Sequence, residues 1–239
     1  MSAEARLGGD MTLVDRIVYT TCRTLIVWIG AVLFRVRVEG RENVPRTGAC
    51  VIAPVHRSNL DTPILGYITR RRMRYMGKDT LWKNKAMAWF VSALGGFPVA
   101  RGTADREALR ACQAVLERGE PLVMFPEGTR QSGPVVREIF DGPAFVAARA
   151  GVPIVPVGIG GSERVMPKGS KLIRPKKIVL IVGKPIAPPH VDGRVPRRVV
   201  SELTTQLHDA LQQLFDEADV KAGARSPGDI SGPAAGQVE

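Results

Sequence analysis

The chain has 239 residues, and 34 basic against 23 acidic side chains give it a formal net charge of +11. Hydrophobic residues make up 44% of the chain and charged residues 24%, which excludes a disordered polypeptide and predicts one globular domain. Three widely spaced cysteines without a C-x-x-C pair argue against a disulfide framework and a structural zinc site, so we expect a reducing compartment and no metal.

The first predicted element is an N-terminal helix, because apolar residues recur every three or four positions between Met11 and Arg35. Its uncharged part, from Thr24 to Phe34, would extend only about 16 Å, roughly half the thickness of a hydrocarbon core. This predicts a helix that lies in a membrane interface without crossing it, with packing on the domain core as the alternative. The opening lacks the basic start of a secretory signal, so we expect a peripheral or monotopic protein on the cytoplasmic face of the cell membrane.

Strands and helices alternate along the rest of the chain. Short apolar runs bounded by Gly and Pro predict buried strands over residues 48–54, 121–126, 152–159 and 176–183. Helical spacing predicts helices over residues 103–119 (with Thr103 as the N-cap), 142–150 and 199–218. This alternation favours an α/β fold, in which helices flank a mixed, largely parallel sheet and loops at the strand ends carry the chemistry.

These patterns predict three segments. Residues 1–40 form a helical, membrane-associating segment, and residues 41–218 form the domain. Residues 219–239 are rich in Gly, Pro, Ala and Ser, which predicts a disordered tail.

The excess positive charge predicts an anionic partner, such as nucleic acid, lipid head groups or a phosphorylated substrate. Basic residues cluster over positions 70–85 and 164–184, and Trp82, Trp89 and Phe90 lie within or just after the first cluster. Interleaved tryptophan and basic residues are typical of a membrane interface, whereas 5% aromatic content is low for stacking on nucleic-acid bases. We therefore expect an anionic lipid surface and no nucleic acid, with solvated basic faces as the alternative.

The motif HRSNLD directly follows the first predicted strand of the domain. The usual serine-hydrolase, P-loop and zincin signatures are absent from the sequence. A carboxylate at Asp61 can keep one imidazole nitrogen of His56 protonated, so that the other nitrogen accepts a proton. The pair is therefore a candidate general base, and the alternative is a strand-end histidine beside a helix N-cap.

A second motif, FPEGTR, ends the next predicted strand. It offers a carboxylate at Glu127, a close backbone approach at Gly128, a hydroxyl at Thr129 and a guanidinium at Arg130 that suits bidentate phosphate binding. This combination predicts a site for a polyol phosphate. The alternative is a glycine turn with a Glu/Arg pair on the surface.

Four motifs together resemble those of the glycerolipid acyltransferases, the family that contains the bacterial 1-acylglycerol-3-phosphate acyltransferases of the PlsC type. They follow one another in the family's order and with its gaps: HRSNLD, GGFPVARG, FPEGTR and VPIVPVGI. The resemblance covers about residues 45 to 190. It implies that His56 is the general base and that Asp61 orients it.

The resemblance also implies the substrate contacts. Lys78, Arg101 and Arg130 would bind the acceptor phosphate, while Glu127 and Gly128 would shape the glycerol site. One position departs from the family pattern, because Phe140 stands where many members carry a lysine. A phosphate or surface contact through that lysine is therefore in doubt.

The implied activity is transfer of a fatty acyl group from acyl-CoA or acyl carrier protein to the sn-2 hydroxyl of 1-acylglycerol 3-phosphate, giving phosphatidic acid. No cofactor is expected beyond the thioester co-substrate. Glycerol 3-phosphate or another lyso-lipid is an alternative acceptor, and water as acceptor would make the protein a thioesterase. A non-catalytic basic module that binds membranes or RNA is the alternative from another class.

Overall fold

A seven-stranded sheet with the strand order β1-β7-β6-β2-β5-β3-β4 forms the centre of the molecule. The computed structural model describes residues 11–99, 106–170, 172–191 and 193–229. The strands are β1 (Arg37–Glu39), β2 (Cys50–Pro54), β3 (Arg74–Lys78), β4 (Gly96–Val99), β5 (Pro121–Val123), β6 (Ile154–Gly160) and β7 (Val179–Val182). The helices are α1 (Leu13–Phe34), α2 (Asp61–Ile64), α3 (Lys85–Ala93), α4 (Arg106–Glu117), α5 (Gly142–Ala150), α6 (Ser162–Val165) and α7 (Arg197–Ala222).

All neighbouring strands run parallel except β6 and β7, which are antiparallel. The predicted α/β fold with a mixed, largely parallel sheet is confirmed. Strands β2 to β6 therefore end at the same side of the sheet, which we call the carboxyl edge. Strands β7 and β1 begin at this edge, because β7 runs against β6 and β1 runs with β7.

The core lies between the sheet and its helices. All residues of β2 and β6 are buried. Helix α7 packs directly across β6, and this close approach depends on glycine: a Cβ atom at Gly158 or Gly160 would collide with the backbone of Leu214 or Ala218. The small residues of β6 therefore set the distance between the C-terminal helix and the sheet.

Helix α1 begins at a capping box formed by Thr12 and Asp15. One face docks on the domain through hydrogen bonds: the Tyr19 hydroxyl donates to the Arg71 carbonyl (3.1 Å), Arg23 Nε to the Thr69 carbonyl (3.3 Å), and the Tyr67 hydroxyl to a carbonyl of the helix. The other face exposes large apolar side chains at Leu13, Val14, Ile17, Leu25, Trp28, Ile29, Val32 and Leu33. We call these eight residues the apolar face.

The predicted N-terminal helix is present, and it is twice as long as its uncharged part. The helix has 22 residues, about 33 Å, and by length and composition α1 alone among the described helices could cross a membrane. The length estimated from the sequence counted only uncharged residues, so it began after Arg23. Buried core helices and signal sequences can have the same length and composition.

Two predicted boundaries also differ. Strand β1 adds residues before position 40 to the sheet, so the N-terminal segment is not separate from the domain. Helix α7 continues to Ala222, and Arg225 pairs with Asp216 and Asp219, so the predicted tail does not begin at residue 219. The proposed helix cap Thr103 and residues 230–239 lie outside the described part of the chain.

Candidate active site

The histidine and aspartate of the first motif meet just beyond the end of β2. His56 Nδ1 lies 3.1 Å from Asp61 Oδ2, and Asp61 is fully buried at the start of α2. The same oxygen accepts the backbone N–H groups of Arg57 and Ser58, each at 2.6 Å. The carboxylate therefore folds back on the loop that carries His56, and it does not act as a conventional N-cap of α2.

The tautomer of His56 follows from the state of Asp61. With Asp61 ionised, its carboxylate only accepts hydrogen bonds, so the proton between the two side chains belongs to Nδ1 of His56. Nitrogen Nε2 then carries the lone pair, and the side chain is 17% exposed, which leaves it within reach of a substrate. Oxygen Oδ1 of Asp61 is buried and accepts no hydrogen bond from the described residues.

A buried ion pair holds the backbone of His56. Glu127 Oε2 accepts the His56 N–H at 2.9 Å, while Arg57 Nη1 donates to the His56 carbonyl at 3.1 Å. The same Nη1 lies 2.7 and 2.8 Å from the two carboxylate oxygens of Glu127. The backbone on both sides of the candidate base is therefore tied to one pair of opposite charges.

Arg57 also connects this pair to distant parts of the chain. Its Nε and Nη2 donate to the carbonyls of Gly133 and Val135, at 3.3 and 3.1 Å. Its guanidinium lies 4.7 Å from the ring centre of Phe215 on α7. The C-terminal helix and the loop after the second motif thus both support the residue that follows His56.

The structure changes the interpretation of Glu127. The alternative of a surface pair with Arg130 is wrong, because Glu127 is buried and pairs with Arg57. Both of its carboxylate oxygens are already engaged by Arg57 and the His56 N–H. Its geometry therefore fits the positioning of His56 better than direct contact with glycerol.

The rest of the second motif lies beside His56. The ring of Phe125 stacks on the imidazole at a centroid distance of 4.0 Å. Gly128 and Thr129 are exposed, and Gly128 adopts a positive φ of 66°. A Cβ atom at Gly128 would lie 2.6 Å from the ring of Phe140, so glycine is required there for both conformation and space. Phe140 itself is largely exposed.

The three candidate phosphate ligands are described to different extents. The Arg130 side chain is half-buried, and within the described chain it has no hydrogen-bond or ion-pair partner. Lys78 ends β3 at the carboxyl edge, but its side chain lies outside the described part. Arg101, two residues after β4, is outside the described residues altogether. Parallel topology nevertheless brings the ends of β2, β3, β4 and β5 to one edge.

An apolar cavity of about 230 Å³ opens between α1 and the sheet. Its walls come from α1, α2, the turn after α2, strands β3 and β4, and α3. The lining residues are Tyr19, Arg23, Ile26, Thr62, Pro63, Gly66, Met73, Tyr75, Val91, Leu94 and Gly96. Thr62 and Pro63, which directly follow Asp61 in the chain, form one part of this lining.

The buried cysteines do not supply a nucleophile. Burial raises the pKa of Cys50 to about 11 and that of Cys112 to about 12. Neither thiol forms a thiolate to a useful extent at neutral pH. Attack by either of these two thiols therefore plays no part in the chemistry of the site.

Sequence reasoning missed several groups that shape this site: Arg57, Ser58, Phe125 and Phe215. The first three lie inside the motifs, where only histidine, aspartate and the EGTR residues were assigned roles. A fully buried arginine beside the candidate base signals a buried acidic partner, but the sequence does not show which residues are buried. Nothing in the sequence links Phe215 to this site, because its helical spacing predicts only a core position.

Comparison with known proteins agrees with this geometry. Residues 35–160 match the Acyltransferase family. The chain is 27% identical to 1-acyl-sn-glycerol-3-phosphate acyltransferase of Bacillus subtilis, over 84% of this chain and 98% of that protein. It is 31% identical to lyso-ornithine lipid O-acyltransferase of Pseudomonas aeruginosa over 54% of this chain and 48% of that protein.

A solved structure is also similar. The crystal structure of the 1-acyl-sn-glycerophosphate acyltransferase PlsC from Thermotoga maritima superimposes with a TM-score of 0.69 and 26% sequence identity. The similarity covers 85% of this chain and 79% of that one. The family match spans more than half of the sequence and contains both motifs of the described site, and the chain therefore belongs to the Acyltransferase family of enzymes.

Proposed function

We propose that this enzyme transfers a fatty acyl group from acyl-CoA or acyl carrier protein to the sn-2 hydroxyl of lysophosphatidic acid, giving phosphatidic acid. The observation that carries the proposal is the His56–Asp61 pair, whose Nε2 remains available at the end of a buried strand. The names of the Bacillus subtilis and Thermotoga maritima proteins support this acceptor. The thioester donor serves as co-substrate, and no cofactor is required.

The proton moves through His56. Its Nε2 takes the proton of the acceptor hydroxyl as the oxygen attacks the thioester carbonyl, and Asp61 stabilises the imidazolium that forms. Collapse of the tetrahedral intermediate breaks the carbon–sulfur bond. The thiolate leaves and takes the proton back from His56, so the base is restored without a covalent enzyme intermediate.

Cations at the carboxyl edge would hold the acceptor phosphate. Arg130 supports this role because its half-buried guanidinium has no partner among the described residues. Lys78 and Arg101 follow strands that end at the same edge. Fixing the phosphate would orient the hydroxyl toward His56 and convert binding energy into correct positioning.

The acyl chain of one substrate would occupy the apolar cavity beside α1. Its lining is dominated by apolar and aromatic side chains, and it includes Thr62 and Pro63, which directly follow Asp61 in the chain. An apolar cavity of this kind favours an alkyl chain. Helix α1 forms one wall, so the same helix would serve both the substrate and the membrane.

The enzyme associates with membranes, as an acyltransferase of lipid synthesis with an exposed apolar helix. The finer arrangement is a peripheral or monotopic attachment at the cytoplasmic face, on a surface with anionic lipid. Docking of one side of α1 on the domain supports it, because that side offers polar contacts and the other offers the apolar face.

Release of free thiol from palmitoyl-CoA tests the function. Purified protein in detergent is assayed with lysophosphatidic acid, glycerol 3-phosphate, a lyso-ornithine lipid or no acceptor, with His56→Ala as the control. Release that depends on lysophosphatidic acid and is lost in the variant supports the proposal. Faster release with another acceptor identifies that substrate, and release without acceptor indicates a thioesterase. If every acceptor is inactive, the assay is repeated with acyl carrier protein as donor, and continued silence contradicts the proposal.

A further inference from the structure

A loop between α6 and β7 exposes two large apolar side chains next to each other. Leu172 is 63% exposed and Ile173 is 48% exposed. We call residues 166–170 and 172–177 the Leu172 loop. Neighbouring aliphatic side chains that both face water have a free-energy cost unless another phase covers them.

Basic residues flank this apolar pair in the sequence. Lys168, Arg174 and Lys176 are exposed, and none of them has an ion-pair partner among the described residues. The nearest acidic residue in sequence, Glu163, is engaged by the Gly133 N–H at 3.2 Å. The loop therefore presents an apolar tip beside three exposed cations that have no ion-pair partner in the described part of the chain, a combination typical of contact with anionic lipid head groups.

The loop is fixed beside the active site. Ser58 lies two residues after His56, and its hydroxyl donates to the Met166 carbonyl at 2.8 Å. At the other end, the Ile178 N–H donates to the Phe34 carbonyl at 3.0 Å, which joins the loop to the end of α1. Val32 and Leu33 of the apolar face are exposed at that same end of the helix.

We infer that the Leu172 loop is a second membrane contact, seated in an anionic lipid surface at the mouth of the active site. Leu172 and Ile173 enter the interface, while the three cations bind lipid phosphates. The inference rests on the proposed function, because the acceptor of the proposed reaction is an anionic lipid that must enter from such a surface. An acidic carrier protein would match the cations, but it would leave the apolar tip unexplained.

Vesicle flotation of the full chain tests this contact. The first variant, Lys168→Gln/Arg174→Gln/Lys176→Gln, should lower the partition coefficient on phosphatidylglycerol-containing vesicles at least tenfold, since each cation near such a surface contributes about fivefold. It should behave like the parent on phosphatidylcholine vesicles. The second variant, Leu172→Gln/Ile173→Gln, should bind both kinds of vesicle roughly tenfold more weakly.

A matched control removes three exposed cations from the opposite edge of the sheet: Arg41→Gln/Arg46→Gln/Lys184→Gln. It should retain most of the binding to anionic vesicles. Equal losses in the control and the loop variant would mean that total charge governs binding, which overturns the inference. Parental binding by both loop variants also overturns it. The inference is also overturned if the loop substitutions change only the KM for acyl carrier protein, because that result would identify a protein partner.

Flotation needs no turnover, so the two proposals can fail separately. If the parent protein shows no transferase activity, the flotation result still decides whether the Leu172 loop binds lipid. If the parent forms phosphatidic acid and the loop variants float normally, only the loop inference fails. Circular dichroism of each variant should match the parent, because the substituted side chains are exposed.

Discussion

The candidate site around His56 and the apolar face of α1 are built in opposite ways. In the candidate site, formed by His56, Arg57, Asp61 and Glu127, the last three side chains are buried, and hydrogen bonds of 2.6 to 3.1 Å join all four residues. The apolar face consists of exposed apolar side chains. The candidate site needs particular atoms at particular distances, whereas the face needs only apolar area in the right place. Substitutions in the two regions should therefore affect different properties.

The largest effect is expected from removing the base. His56→Ala should lower kcat/KM by about 10² to 10⁴-fold, or about 3 to 5 kcal/mol in barrier, because the variant lacks the proposed acceptor of the hydroxyl proton. Steady-state acyl transfer in detergent measures it. His190→Ala, an exposed histidine in a loop, is the control and should match the parent. An active His56→Ala enzyme would exclude the dyad mechanism.

Breaking the buried pair should affect stability and turnover together. Arg57→Met leaves the Glu127 carboxylate buried without its partner, which should cost about 3 to 5 kcal/mol in the free energy of unfolding, measured by urea denaturation. The double variant Arg57→Met/Glu127→Leu should be more stable than Arg57→Met alone, because no unpaired charge remains.

The milder Glu127→Gln tests whether this residue positions His56. It should lower kcat with little change in acceptor KM, since glutamine still accepts the His56 N–H but loses the charge. A raised KM at constant kcat would instead support the glycerol contact that the family resemblance implies. The different effects on kcat and KM separate the two roles even if Glu127→Gln folds as stably as the parent protein.

Loss of a phosphate ligand should have an intermediate effect. Arg130→Ala should raise the KM for lysophosphatidic acid about 10 to 100-fold, because hydrogen bonds between charged groups contribute about 1.5 to 3 kcal/mol. The value of kcat should change little. Arg197→Ala, an exposed arginine on α7, is the comparison. Unchanged kinetics in Arg130→Ala would remove this residue from the acceptor site.

The smallest effect is expected at the position that departs from the family pattern. Phe140→Lys places a cation beside Gly128, so the KM for an anionic acceptor should fall by no more than about fivefold, and less at high salt. Phe140→Leu should leave it unchanged. An increase in KM in both variants would show that the aromatic ring itself contacts the acceptor.

The sequence predicted most of the fold because its signals are local. Helix α5 was predicted with its observed bounds, and four buried strands were found from apolar runs between Gly and Pro. Strands β1, β3 and β4 were missed because RVE, RYMGK and GFPV contain glycine, proline or charge that weakens a strand pattern. The end of α7 was misplaced because its last turn is held by Arg225 and by packing on β6, neither of which helical spacing reveals.

The candidate site was predictable only in part. The pairing of His56 with Asp61 was predicted because HRSNLD and the motifs after it resemble those of a known family, and the structure places the two side chains 3.1 Å apart. The partner of Glu127 was not predictable, because 70 residues separate it from Arg57. Motif reasoning assigned the buried glutamate to the substrate, whereas the fold uses it to hold the backbone of the base.

The most direct test of the separation between chemistry and membrane binding measures both properties on two variants. One is His56→Ala, and the other replaces three residues of the apolar face: Leu25→Ser/Trp28→Ser/Val32→Ser. Turnover is measured in detergent and partition on vesicles. We predict that His56→Ala loses turnover and floats like the parent, while the helix variant floats poorly and retains most of its turnover. Joint loss of both properties in either variant, with its circular dichroism unchanged, would contradict the account.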